Sequence, residues 1–261
     1  MRGRGDCNAS LGVQAGNRQT RRSTVGRGAL LCALALAAGR SMAADSWGGA
    51  VDVASDYLVR GISRTSHDAA LQLDLHYANS VGFFVGAFAS NSKIVPREPR
   101  DVELSGYLGF SWRNGDDWRG RILYTHYLYP WNRHGGEYDY DELDAQIAYQ
   151  GWLQFSVNFS PNATRYLPPP YPGLLAEREG SAEINVQHAL IRHLSVTGGA
   201  GYSYVGGPES GGYVYWSAGL AYDLGSVSLA VSFVDTSSEA KTLFYNAAAA
   251  NRILGAAIWR F

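Results

Sequence analysis

The stretch Leu71-Gln72-Leu73-Asp74-Leu75-His76-Tyr77 sets three Leu and a Tyr on one side of an extended chain and Gln, Asp and His on the other. Successive side chains of a strand point to opposite faces, so a period of two describes a sheet with one apolar and one hydrophilic face. Leu153-Gln154-Phe155-Ser156-Val157-Asn158-Phe159 repeats the pattern, as does Val227-Ser228-Leu229-Ala230-Val231-Ser232-Phe233. Twelve such runs follow one another, centred near residues 52, 74, 86, 106, 123, 146, 156, 184, 199, 218, 231 and 257. Helical patterning is absent from this reading.

The connections between the runs alternate in length. Short ones fall at Asn79-Ser80, Asn114-Gly115-Asp116, Gln150-Gly151, 190–193 and Gly225-Ser226. Gly225-Ser226, between Leu224 and Val227, suits a type II′ hairpin with Gly at its first central position. The intervening connections, at 60–68, 91–100, 130–136, 161–179, 206–212 and 236–251, are longer and richer in Gly, Pro and charge. Tight turns on one side and variable loops on the other are the rhythm of a transmembrane barrel, and an even strand number returns both chain ends to the short-turn side.

A soluble sandwich also alternates, so three further features decide between the two. A sheet in lipid must close on itself with strands of roughly 9 to 11 residues, and the runs 102–112 and 118–128 are that long. Aromatic rings favour headgroup depth: Trp47, Trp112, Trp118, Trp152 and Trp259 fall toward short turns, and Tyr57, Tyr129, Trp131, Tyr138, Tyr204 and Tyr213 toward long loops. The chain also ends in Phe261, with Trp259 on the same face. This ending is similar to the signal by which the barrel assembly machinery reads the last strand of outer-membrane barrels. The expected fold is an all-β, antiparallel up-and-down transmembrane barrel of about 12 strands.

Residues 1–44 are a different object. They hold seven Arg and one acid, and leave 15 basic and 22 acidic residues to 45–261. Arg21, Arg22 and Arg27 precede the apolar run 29–38, and Ser41-Met42-Ala43-Ala44 offers small residues for cleavage. This is the pattern of a secretory signal peptide, so the expected division is a leader over 1–44 and a barrel over 45–261. The apolar run is shorter than the roughly 20 residues of a membrane helix. Both cysteines, Cys7 and Cys32, lie in the leader, so the remainder forms no disulfide and no thiolate metal site. The acidic body carries no basic patch for nucleic acid. With 46% apolar and 17% charged residues and a mean hydropathy of −0.17, disorder is excluded as well.

The first hairpin, Ser55-Asp56-Tyr57-Leu58-Val59-Arg60-Gly61-Ile62-Ser63-Arg64-Thr65, resembles the S-D-Y-x-x-R-G-x-S opening of the TorF-like putative porins, formerly the Gcw_chp family of unknown function. The likeness continues through Gly82-Phe83-Phe84-Val85-Gly86, Ser90-Asn91, Glu103, Tyr107, Gly109, Tyr129-Pro130, Tyr140 and Glu142, and beyond residue 145 is one of general pattern. Ser105 stands where the family's pattern has a second acid. The resemblance implies an exported porin of a Gram-negative outer membrane, in contact with outer-membrane lipid and lipopolysaccharide, and supplies no solute.

In such a barrel the hydrophilic face lines the lumen. Asp52, Asp74, His76, Glu103, Arg119, Arg121, Glu142, Asp144, Gln146, Asn158, Glu183, Asn185 and Gln187 are expected to point inward. Acids outnumber bases among them, which favours passive diffusion of small cationic or neutral polar solutes. The same groups could instead fill the interior as a hydrogen-bonded ladder, giving a non-conducting barrel that acts as receptor, adhesin or envelope-structural protein. Arg119 and Arg121, expected opposite Gly109 and Ser111, could filter anions or pair with Asp144 and Glu142. Arg60 and Gly61 stand at the start of the first outer loop, where Gly permits a sharp turn and Arg reaches the mouth or solvent.

Enzymatic alternatives find little support. His193-Leu194-Ser195 shares a face but sits at a short turn, and Ser66-His67-Asp68 has no evident third member. An outer-membrane hydrolase is therefore the minor alternative, with no catalytic residue and no cofactor assigned. Only Asp74 and His76 approach metal-ligand spacing, and two ligands are not a site. The Pro-rich run Tyr166-Leu167-Pro168-Pro169-Pro170-Tyr171-Pro172 implies a stiff extended segment.

Overall fold

A computed structural model describes residues 45–93, 100–131, 135–167, 173–207, 210–244, 248–249 and 251–261. The leader, and Pro168 to Pro172 of the Pro-rich run, lie outside the described residues. The strands are β1 (Ser46–Ala54), β2 (Leu58–Val59), β3 (Ile62–Ser63), β4 (Ala70–Ala78), β5 (Phe83–Ser92), β6 (Asp101–Asn114) and β7 (Trp118–Leu128). They continue as β8 (Tyr140–Tyr149), β9 (Leu153–Leu167), β10 (Gly173–Ile191), β11 (Leu194–Val205), β12 (Gly211–Asp223), β13 (Val227–Thr236) and β14 (Arg252–Arg260). Among the described residues one α-helix, α1, spans Ser238–Leu243.

All of these strands but β2 and β3 form one closed antiparallel barrel of twelve, in the order β1-β14-β13-β12-β11-β10-β9-β8-β7-β6-β5-β4. Each lies on one of the twelve alternating runs. Closure runs from Ala50 opposite Arg260 to Ala54 opposite Ala256. Gly49 and Phe261 extend it by exchanging backbone hydrogen bonds of 3.1 Å. A Cβ on Gly49 would fall 2.6 Å from the Phe261 ring and 2.8 Å from the Asp74 carbonyl oxygen, so a side chain there would force one of them to shift.

The outer wall is apolar: Leu73, Leu108, Ile122, Leu143, Phe155, Ile184, Leu220 and Val231 all stand exposed. Leaving one such side chain in water forgoes about 1.5–3 kcal/mol, so a belt of them belongs against acyl chains. Among the described residues no helix is long and apolar enough to cross a membrane.

The short turns have local causes. Asn79 Oδ1 accepts from the N–H groups of Val81, Gly82 and Phe83 at 3.0–3.1 Å, and Gly82 takes a φ of +121°. That four-residue turn fixes the register of β5, with Phe83 and Val85 outside and Phe88 buried within. Gly225 alone of its turn pair has positive φ, at +83°, as a type II′ turn requires.

Four expectations need correction. Most of 161–179 is strand, since β9 runs to Leu167 and β10 starts at Gly173, the two paired with a bulge between Glu177 and Glu179. The last long connection holds α1, whose single turn-and-a-half is too short to show a helical period. The loop after β1 contains the β2–β3 hairpin, turned inward. Tyr129, Tyr138 and Tyr213 are buried in the interior rather than girdling the barrel at headgroup depth, whereas Trp131 and Tyr204 are exposed.

Candidate functional site

Residues 55–69 leave β1, fold into the barrel and return to β4. Asp56, buried at the base of this segment, accepts from Ser63 Oγ at 2.7 Å and Thr65 Oγ1 at 2.6 Å, and pairs with Arg252 of β14. Arg64 N–H donates to the Tyr57 carbonyl at 2.7 Å. Val59 faces Ile62 across a two-residue turn, Arg60-Gly61, with φ of +52° and +79°. Positive φ at both central positions marks a type I′ turn, which favours Asn-Gly. An arginine held there costs on the order of 1–3 kcal/mol, and such strain concentrates at functional sites.

Arg60 is 4% exposed. Its guanidinium pairs with Glu142 of β8 through one terminal nitrogen and with Glu179 of β10, at 2.9 Å, through the other. These strands flank β9, which lies six places from β1 whichever way the barrel is traversed. Through the Arg60 side chain the hairpin therefore reaches the wall opposite β1. Its tip rests on β12 and β13, where a Cβ on Gly61 would come within 2.5 Å of Thr236 and 3.1 Å of Tyr215.

Both flanks of the hairpin are packed. On one, the Tyr57 and Tyr129 hydroxyls donate to Glu103 at 2.9 and 2.6 Å, and Tyr127 stacks on Tyr140 at 4.4 Å. Burial, reinforced by the Glu103 charge, pushes the Tyr57 phenol well above its ordinary value. On the other flank Ile62 joins Val205, Tyr213, Tyr215, Ala240 and Leu243, so α1 closes over it. Leu58 packs with Val234 and Leu254.

Toward the short turns the inner wall is lined by polar side chains, Asp74, His76, Asp144, Asn158 and Glu183 partly buried and Asn185 and Gln187 buried. Asp74 accepts from Tyr107 Oη at 2.6 Å and contacts His76 Nδ1 at 2.7 Å. Asn158 donates to Ser181 at 2.7 Å, and Asn185 to Glu183. Asp52 and Arg260 lie close enough to interact, and Asp144 interacts with both Arg60 and Arg121. Arg121 stands opposite Ser111, but Arg119 is opposite Arg113 rather than Ser111, because the turn at 115–117 holds only three residues. Of the two acids weighed as partners for Arg119 and Arg121, Glu142 is taken by Arg60 from the hairpin instead.

Glu179, Arg64, Arg252 and Glu177 were absent from the candidates read in the sequence. The unbroken odd-numbered polar face Glu177, Glu179, Ser181, Glu183, Asn185, Gln187 was the signal for two of them. Ser66 Oγ donates to the Lys93 carbonyl while His67 lies against Asp56 and Arg252, so these two neighbours point apart. Among the described residues no three His, Cys, Asp or Glu side chains could share a metal ion. At the far end of the barrel the Trp259 and Phe261 rings lie 5.1 Å apart.

The sequence profile of a bacterial family, described as "Bacterial protein of unknown function (Gcw_chp)", matches residues 40–261. The chain belongs to that family. No curated protein matches its sequence. Its fold is similar to that of the NanC porin, with 7% identity, coverage of 82% of this chain and 98% of the porin, and a TM-score of 0.54. The KdgM porin matches over 82% of this chain and 99% of its own, with 8% identity and a TM-score of 0.48. The residues that open the family's pattern here, Asp56, Tyr57, Arg60, Gly61 and Ser63, are those that build and anchor the inward hairpin.

Proposed function

We propose that this member of the Gcw_chp family is a porin-like channel of a Gram-negative outer membrane, passing small polar solutes passively and constricted by its first loop. The observation that carries the reading is the polar inner wall, carboxylates included, inside an apolar exterior. A barrel meant only to be filled has little use for carboxylates on its inner face, since burying polar groups costs free energy that apolar side chains avoid. The neighbours' porin fold supports the same reading. The leader over 1–44 would export the chain, and β14 with Trp259 and Phe261 would present it to the assembly machinery and to lipid and lipopolysaccharide.

Asp74, Glu103, Glu142, Asp144, Glu179 and Glu183 lie on the inner face of the alternate strands β4, β6, β8 and β10. A low-dielectric wall focuses such a field, which favours cations and neutral solutes over anions. Liposome swelling tests the channel reading. Vesicles carrying the mature chain are expected to swell in small sugars, with a rate that falls steeply as the sugar grows. Rates equal to protein-free vesicles, for the natural chain and for Arg60→Ala alike, would leave the non-conducting barrel as the better account.

A further inference from the structure

Thr125, Glu142, Ser160 and Glu179 form a row on the inner face of four adjacent strands, β7 to β10, with Thr125 the register partner of Glu142 and Ser160 that of Glu179. The two carboxylates hold the two ends of the Arg60 guanidinium. The two hydroxyls, each 1% exposed, have oxygens with no hydrogen-bond partner among the described residues. Buried hydroxyls are nearly always satisfied. Unspent acceptors beside a carboxylate pair are further places for the N–H groups of a planar cation that is not tethered to a hairpin. Asp144 and Glu183 continue the acidic wall from this row toward the short turns, giving a cation a route of approach.

We propose that Thr125, Glu142, Ser160 and Glu179 form a subsite for the guanidinium group of a permeating solute, and that Arg60 fills it as an internal surrogate which the solute displaces. The inference rests on the channel reading and names its solute class. Exchange of one guanidinium for another keeps both carboxylates paired, so the constricted lumen widens without stranding the carboxylates. The fork of a guanidinium spans two carboxylates, whereas a compact ammonium acts as a point charge and does not reproduce that bridge. The left-handed backbone at Arg60 fits this role, because the hairpin is bent to deliver that one side chain.

Planar-bilayer recordings of the mature chain in potassium chloride, with methylguanidinium or methylammonium as probes, test the proposal. Methylguanidinium is expected to raise the open probability on the order of tenfold, while methylammonium at the same concentration leaves it unchanged. Glu142→Gln/Glu179→Gln is expected to be open without either probe and indifferent to both. Arg60→Ala is expected to conduct without a probe and to lose current when methylguanidinium occupies the vacated row. The comparison of probes on the natural chain carries the test even if a variant fails to fold. Equal responses to the two probes, or none in a chain that conducts, overturn the subsite and leave the channel standing. Absence of current in every solution, from natural chain and Arg60→Ala that both show folded electrophoretic mobility, overturns both.

Discussion

Gly61 is the residue on which the reach of the hairpin depends, since its φ of +79° and the nearness of Thr236 and Tyr215 leave no room for a side chain. Gly61→Val is expected to cost about 1–3 kcal/mol, read as a lower temperature for loss of the folded electrophoretic band. Gly106→Val, where a Cβ meets nothing within 4 Å, is the matched control and should change little. Tyr57→Phe removes one of two phenols on Glu103 and is expected to cost about 1–3 kcal/mol for the under-satisfied carboxylate. Asp45 accepts from the Ser80 backbone N–H and the Tyr77 hydroxyl, and these bonds hold its carboxyl below the ordinary value of 3.8. A depressed pKa stabilises the folded form above the unfolded value and loses that contribution as pH falls through the folded one. Hydrogen exchange at the Ser80 amide should therefore quicken, relative to a neighbouring turn, only when the medium is more acidic than about pH 4. A one-residue slip in the 79–82 turn would exchange the inner and outer faces of Phe84 and Phe88. The capping amide of Asn79 removes that freedom, and its meaning shows only once its three N–H donors are in place.

At the scale of elements, the twelve barrel strands and the alternation of turns and loops were legible because each strand repeats its period over nine or more residues. The β2–β3 hairpin was not, since two residues per strand carry no period and nothing local says that a loop turns inward. The loop expected at 161–179 was misread because Pro161 and Gly173 suggested breakage, whereas the polar face of β10 ran on through it. Ile62 anchors the hairpin in the cluster around Tyr213 and Leu243. Ile62→Asp places an uncompensated charge there, at several kcal/mol, and is expected to release the hairpin while the strands persist. Limited proteolysis within 55–69, with unchanged far-ultraviolet circular dichroism, checks this. Continued protection of the segment would mean that its anchorage lies elsewhere.

The molecule as a whole inverts the polarity of a soluble sheet, with hydrocarbon outside, charge inside, and an inward hairpin whose Arg60 reaches the opposite wall. That arrangement makes selectivity and constriction separable, because the acidic wall belongs to the barrel and its main counter-ion, Arg60, to the hairpin. The reversal potential across a salt gradient should accordingly indicate cation preference, and more strongly for Arg60→Ala than for the natural chain. Equal or opposite shifts would deny the wall that role. The central claim is that the first loop spans and narrows a polar lumen. Its most direct test is the ratio of single-channel conductance in Arg60→Ala to that in the natural chain. A ratio well above one, with both proteins folded, is the result predicted here; a ratio of one, in a protein that conducts, would contradict a hairpin lying across the path.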